Sequence, residues 1–169
     1  MAKNFQKDFL NYCNRQDLEI NPNQLEVIKK LEQYYKSNFK SFFSKLFSNQ
    51  SSQKGFYLFG DVGVGKTMIL NFFFDCIDEK KLRLHFNEFM LDFHDFVHER
   101  KEKNEENIIN IFVKNLKSKA ALIYFDEFQV TNIVDAMILG KLFKRIFEEK
   151  IKVIFSSNIN INDLYKDGL

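Results

Sequence analysis

Apolar positions recur along this chain in two rhythms, one helical and one strand-like. Residues 4–14 read as a short helix. Asn21 and Pro22 then form a helix start, a capping side chain followed by proline at the first helical position. Leu25, Ile28, Leu31, Tyr35, Phe39, Phe42 and Leu46 follow at spacings of three and four, an amphipathic stripe with an expected break near Ser37 and Asn38. We read that stripe as core. A polar loop over residues 48–53 separates it from Gly55–Phe59, a short apolar and aromatic run of the kind a buried strand shows. Met68–Phe73 continue as a helix.

Leu82–Phe86 alternates apolar and polar residues and reads as a second strand. Phe86, Phe89, Met90, Phe93 and Val97 then fall at helical spacing. Residues 99–107 are a mixed charge run, expected to be a solvated helix end or loop, and Ile108–Lys117 reads as a helix. Leu122–Phe125 is a buried-type strand ending in Asp126 and Glu127. Ile133, Met137, Ile138, Leu142, Ile146 and Phe147 mark an amphipathic helix capped by Thr131 or Asn132. Val153–Phe155 is a last apolar strand, running into Ser156, Ser157 and Asn158. Strands alternating with helices predict an α/β fold, a mainly parallel sheet with helices on both faces. The expected division is a helical segment and linker over 1–54 and a core over 55–169.

The 169 residues, 45% of them hydrophobic, are enough for one domain with a core. Net charge is +2, which gives no strong electrostatic case for nucleic acid as a partner. Cys13 and Cys76 stand far apart, in no metal spacing, and read as reduced thiols. No run approaches the roughly 20 apolar residues of a membrane span. The opening residues carry neither the apolar region of a secretory leader nor the Arg-rich character of a transit peptide. The expectation is a cytoplasmic protein, with peripheral membrane contact left open.

Gly60–Thr67 carries the strongest chemistry. Gly60, Asp61, Val62, Gly63, Val64, Gly65, Lys66 and Thr67 fit G-x-x-x-x-G-K-[ST], with Met68 next to them opening the helix. A strand before the motif and a helix after it is the context that a phosphate-binding loop requires. Glycines let backbone N–H groups close on an anion, and the helix N-terminus adds partial positive charge. The motif assigns Lys66 to the β- and γ-phosphates of a nucleoside triphosphate and the Thr67 hydroxyl to Mg²⁺. Asp126, at the end of its strand, is expected to hold the Mg²⁺ shell through water, because Mg²⁺ dehydrates reluctantly. Glu127 is expected to orient the attacking water, and Asn158 to orient that water or touch the γ-phosphate. An Asp-Glu pair alone reads as a solvated strand end; about sixty residues after such a loop it reads as the other half of one site. Asn158 reads equally well as a turn residue. His85, His94 and His98 offer a weaker metal reading, with no acidic third ligand at an obvious spacing.

Several strings together resemble one family. They are the stretch from Gly55 to Met68, His85–Met90 with His94, Phe125–Gly140, Ser157-Asn158 and Asp163–Leu169, with Asn23-Gln24 on the first long helix. The chain resembles the AAA+-related ATPases that include the bacterial division protein ZapE and the mitochondrial lactation-elevated ATPases. The resemblance implies ATP binding and hydrolysis with Lys66, Thr67, Asp126 and Glu127 in the roles above and Asn158 at the sensor position. It also implies homo-oligomers and a protein client, among division-ring or membrane proteins. Asn87 stands where the family usually has His, and Asn132 where it usually has Asp. The family pattern continues beyond Gly168-Leu169 with Gln-Arg, a further strand and a lid, so a core without its last strand and lid is expected here. That arginine is the candidate finger for a neighbouring subunit's transition state, which leaves three readings. They are a slow Mg²⁺-dependent ATPase, a nucleotide-binding protein or remnant that does not hydrolyse, and a helicase-loader-like DNA-associated ATPase.

Overall fold

The computed structural model describes residues 3–39, 53–100, 104–130 and 133–164. Two helices come first, α1 (Phe5–Arg15) and α2 (Pro22–Phe39). Strand β1 (Gly55–Phe59) leads into α3 (Lys66–Asp75), and β2 (Lys81–His85) into α4 (Phe86–His98). Helix α5 (Glu105–Lys119), β3 (Leu122–Asp126), α6 (Ile133–Glu148), β4 (Lys152–Ser157) and a 3₁₀ turn at Ile161–Asp163 complete the order. All three strand pairings are parallel, in the spatial order β1-β4-β3-β2. From β1 at one edge the chain thus passes to β2 at the other and returns through β3 to β4, each parallel connection crossing over through helices, which cover both faces of the sheet. That is the expected α/β class.

The strands' two-residue period divides the core. Leu122 and Tyr124 of β3 and Ile154 of β4 face a cluster built on α1, α2 and α3, including Phe9, Leu31, Tyr34 and Phe73. Ile123 and Phe125 of β3 and Val153 of β4 face a second cluster on α4, α5 and α6, including Phe89, Phe93, Val113 and Leu142. Every residue of β3 is buried, which explains its unbroken apolar run. The N-terminal helices are bound into the same core as the sheet. Phe9 and Cys13 are fully buried against it, and the buried Tyr34 hydroxyl donates to the Val153 carbonyl at 3.2 Å.

The local signal acts as read at the start of α2. Asn21 Oδ1 accepts from the Asn23 N–H at 2.9 Å, with Pro22 as the first helical residue of α2. The expected break near Ser37 and Asn38 does not occur. Both side chains donate back to the Tyr34 carbonyl at 2.9 Å, and α2 runs on to Phe39. Phe42, Leu46, the 48–53 loop apart from Gln53, and the caps at Thr131 and Asn132 lie outside the described residues. Strand β2 ends at His85 rather than Phe86, because Phe86 already opens α4 with its ring on Phe128, centroids 4.5 Å apart. Helix α5 starts within the charge run, earlier than Ile108. Asn104 caps it through the Asn107 N–H, and Glu105 and Glu106 sit in the first turn, where carboxylates favour the helix dipole. No described helix is long and apolar enough to cross a membrane.

Candidate functional site

Parallel strands carry their loops to the C-terminal edge of the sheet, and that edge is where the candidate residues meet. Between β1 and α3 the backbone turns through Gly63 (φ 86°) and Gly65 (φ 87°), a conformation that side chains with a Cβ adopt at a penalty. Gly65 is the N-cap of α3, so the first N–H groups of that helix open onto the loop. At Gly63 nothing stands within 4 Å of where a Cβ would be, which leaves free space beside its backbone. Lys66 folds over the loop, and its Nζ donates to the Gly60 and Asp61 carbonyls, each at 2.7 Å.

Across from the loop stand the ends of β3 and β4. Asp126 is buried, and each of its carboxylate oxygens is engaged. Oδ1 accepts from the Tyr124 hydroxyl at 3.0 Å, from the Ser156 hydroxyl and from the Glu127 N–H at 3.2 Å. Oδ2 pairs with the Arg83 guanidinium on β2. Burial alone raises the pKa of Asp126. The hydrogen bonds from Ser156, Arg83 and Tyr124, with the Arg83 charge, outweigh it and hold the carboxyl below its ordinary value. Burial pushes the Tyr124 phenol well above its own ordinary value, and the Asp126 charge adds to the rise, so it stays protonated and donates. Glu127 leaves the strand with φ 55°, its N–H held between Asp126 Oδ1 and Ser156 Oγ, and its side chain is exposed.

One cavity of about 310 Å³ joins these parts. Val62, Gly63, Gly65, Lys66, Thr67 and Met68 line it from the loop side. Asp126, Glu127 and Asn158 line it from the strands, with Ser156 and Ser157 between them. Gly60, Asp61 and Val64 shape the loop from outside that lining, through their carbonyls. Sequence reasoning gave no role to Arg83, Tyr124 or Ser156, all of which bond Asp126. The available signal was the pair of small hydroxyl residues closing a buried strand. Ser157 also ties the segment together, donating to the Phe128 carbonyl at 2.6 Å and accepting from the Ile159 N–H at 3.0 Å.

The donor set fits a hydrated divalent cation beside an anion. Asp126 is ionised and rigidly held, with its oxygens already occupied by protein donors, which suits contact through water over direct ligation. His94 does other work. His94 Nε2 lies 2.7 Å from Asp135 Oδ1, linking α4 to α6. Among the described residues, no three His, Cys, Asp or Glu side chains form a metal-type group. A larger opening of about 870 Å³ lies between α5 and α6, with Lys141 and Lys144 facing Glu105 and Glu106. No residue of the glycine loop or of the β3 and β4 ends lines it.

Known proteins share parts of this sequence and this fold. The chain is 40% identical to lactation elevated protein 1 homolog B of Danio rerio over 126 positions, covering 69% of this chain and 25% of that protein. It is 37% identical to the cell division protein ZapE of Escherichia coli (strain K12) over 117 positions, covering 69% of this chain and 31% of that protein. The matched part is therefore about a quarter to a third of the length of these relatives. The DnaC helicase loader shares the fold, with a TM-score of 0.53 at 15% identity over 84% of this chain and 73% of that one. The family model for AFG1-like ATPase matches residues 4–169, and on that match the chain belongs to the AFG1-like ATPase family.

Proposed function

We propose that this chain binds Mg²⁺-ATP in the cavity between the glycine loop and the ends of β3 and β4, and hydrolyses it. One observation carries the reading. Three segments far apart in sequence, around Lys66, Asp126 and Asn158, line a single cavity of about 310 Å³. The loop N–H groups and the α3 N-terminus cradle the phosphates. Lys66 releases the Gly60 and Asp61 carbonyls and turns its charge to the β- and γ-phosphates. Thr67 and Asp126 hold the cation, Thr67 through its hydroxyl and Asp126 through water. Held there, Mg²⁺ would supply charge neutralisation for the phosphates. Glu127, exposed at the cavity edge, orients and polarises the attacking water for in-line displacement. Asn158 positions that water or the γ-phosphate.

Assembly into homo-oligomers and action on a protein client, as the family resemblance implies, extend this reading to the physiological role. ZapE is a cell division protein by name, and a role in division or in protein quality control is the corresponding proposal here.

Thermal unfolding of the chain with and without Mg²⁺-ATP tests the binding step. Ligand at a hundredfold excess over Kd should stabilise the fold by about 2.7 kcal/mol. The gain should vanish in Lys66→Ala. An equal midpoint with and without nucleotide would sink the proposal. A gain with no phosphate release would leave the non-hydrolysing alternative.

A further inference from the structure

Gln24 sits in the first turn of α2, forty residues before the loop it touches. Its Nε2 donates to the Val64 carbonyl at 3.2 Å, while its Oε1 is shielded from solvent with no partner among the described residues. The orientation of the carboxamide follows from chemistry, since the reversed amide would set two acceptors face to face. The contact also bears on Gly65. A Cβ there would stand 2.7 Å from Gln24 Nε2 and would push the Gln24 carboxamide aside, while the positive φ of Gly65 independently favours glycine.

We infer that Gln24 is a positioning residue for the phosphate-binding loop, fixing from α2 the peptide that presents the Gly65 N–H to the nucleotide; this rests on the proposed nucleotide site. The Val64 carbonyl and the Gly65 N–H belong to one planar trans peptide, in which they point in opposite directions. Pinning the carbonyl toward α2 therefore turns the N–H away from α2, and Gly65 is a residue that lines the cavity. The anchor is firm. Ile28, Leu31 and Tyr34 of α2 are buried with Ile69 and Leu70 of α3, and Tyr34 is bonded to β4. A donor mounted on so fixed a helix presets the loop, and a preset loop loses less freedom when the anion binds. The N-terminal helices thereby become part of the site's machinery.

The test compares the full chain with Gln24→Ala and with Gln24→Glu, which keeps the shape and removes the donor. Two readouts are taken: the Kd for Mg²⁺-ADP by calorimetry, and amide hydrogen exchange at Gly65 in the nucleotide-free chain. We expect both variants to bind about tenfold more weakly, the size of effect of one lost hydrogen bond beside a charged ligand. Gly65 exchange should speed up in both, with unfolding midpoints close to that of the parent. Affinity and exchange unchanged in both variants would overturn the inference. So would a loss in Gln24→Ala that Gln24→Glu restores, because helix packing and not the donor would then be responsible. A parent chain that fails to bind Mg²⁺-ADP would sink the nucleotide reading. The exchange comparison uses no nucleotide, so it would still decide whether Gln24 holds Val64.

Discussion

Arg83 Nη2 stands 2.5 Å from Asp126 Oδ2, joining β2 to the carboxylate at the end of β3. Arg83 is partly exposed and Asp126 buried, so the pair brings solvent-side charge to a carboxylate whose ionised form burial alone disfavours. The folded-state pKa of Asp126 lies below its ordinary value of 3.8, against the pull of burial, because Ser156, Arg83 and Tyr124 stabilise the anion.

A pH dependence follows. As acid is added, the unfolded chain takes up the Asp126 proton before the folded chain does. The stabilisation from Asp126 is complete above the ordinary carboxylate value and is lost as pH falls through the lower folded value. Asp126→Asn should therefore be less stable than the parent near neutrality, and the gap should narrow as the parent's own carboxylate is protonated. Urea midpoints of both proteins, measured from about pH 6 down to about pH 3, check this. A gap that stays constant across that range would contradict it.

Glu127→Gln separates binding from hydrolysis. The side chain is exposed and the backbone geometry is retained, so stability should stay within about 0.5 kcal/mol. Loss of the water-orienting base should slow phosphate release by about 10²-fold or more. Mg²⁺-ATP affinity should change little. Calorimetry alongside a phosphate assay gives both values, and unaltered hydrolysis would remove Glu127 from its proposed role.

The two positive-φ glycines should respond differently to alanine. Gly63→Ala meets open space and suffers only backbone strain, about 1–2 kcal/mol. Gly65→Ala adds to the same strain a Cβ 2.7 Å from Gln24 Nε2, and should displace Gln24 as well. Its stability should fall further than that of Gly63→Ala. Adding Gln24→Ala should recover the difference from crowding while leaving that from strain. Denaturant unfolding of the four proteins decides the point.

The N-terminal helices should melt with the core and not ahead of it. Phe9 is fully buried against α3 and packs its ring on Phe72, centroids 5.1 Å apart. Phe9→Ala should destabilise the whole chain by about 3–5 kcal/mol. Far-ultraviolet and tyrosine signals should shift together in one transition. An early, separate loss of helix would show that α1 and α2 form an independent unit.

The elements that positioned the cavity were legible because their patterns are local. The apolar run Gly55–Phe59 closed by a glycine motif has few alternatives to a strand and a turn. Leu122–Asp126 read as a buried strand because both of its faces are covered. The start of α5 was hidden by its charge run, within which Asn104 caps the helix. The continuation of α2 through Ser37 and Asn38 depended on side chains bonding back to Tyr34, where composition favoured a break. The Arg83–Asp126 and Gln24–Val64 contacts link residues 43 and 40 apart, and no periodicity encodes such a meeting. They arise from the order in which the strands pair and from where α2 is laid on the sheet.

The left-handed backbone at Glu127 separates what the main chain needs there from what the side chain does. Glycine or asparagine would occupy φ 55° with less strain, and the difference is about 1 kcal/mol for a residue such as glutamate. Either replacement would leave the Asp126 and Ser156 contacts to the N–H at this position in place. The glutamate side chain is therefore carried at a cost in stability that its own backbone contacts do not require.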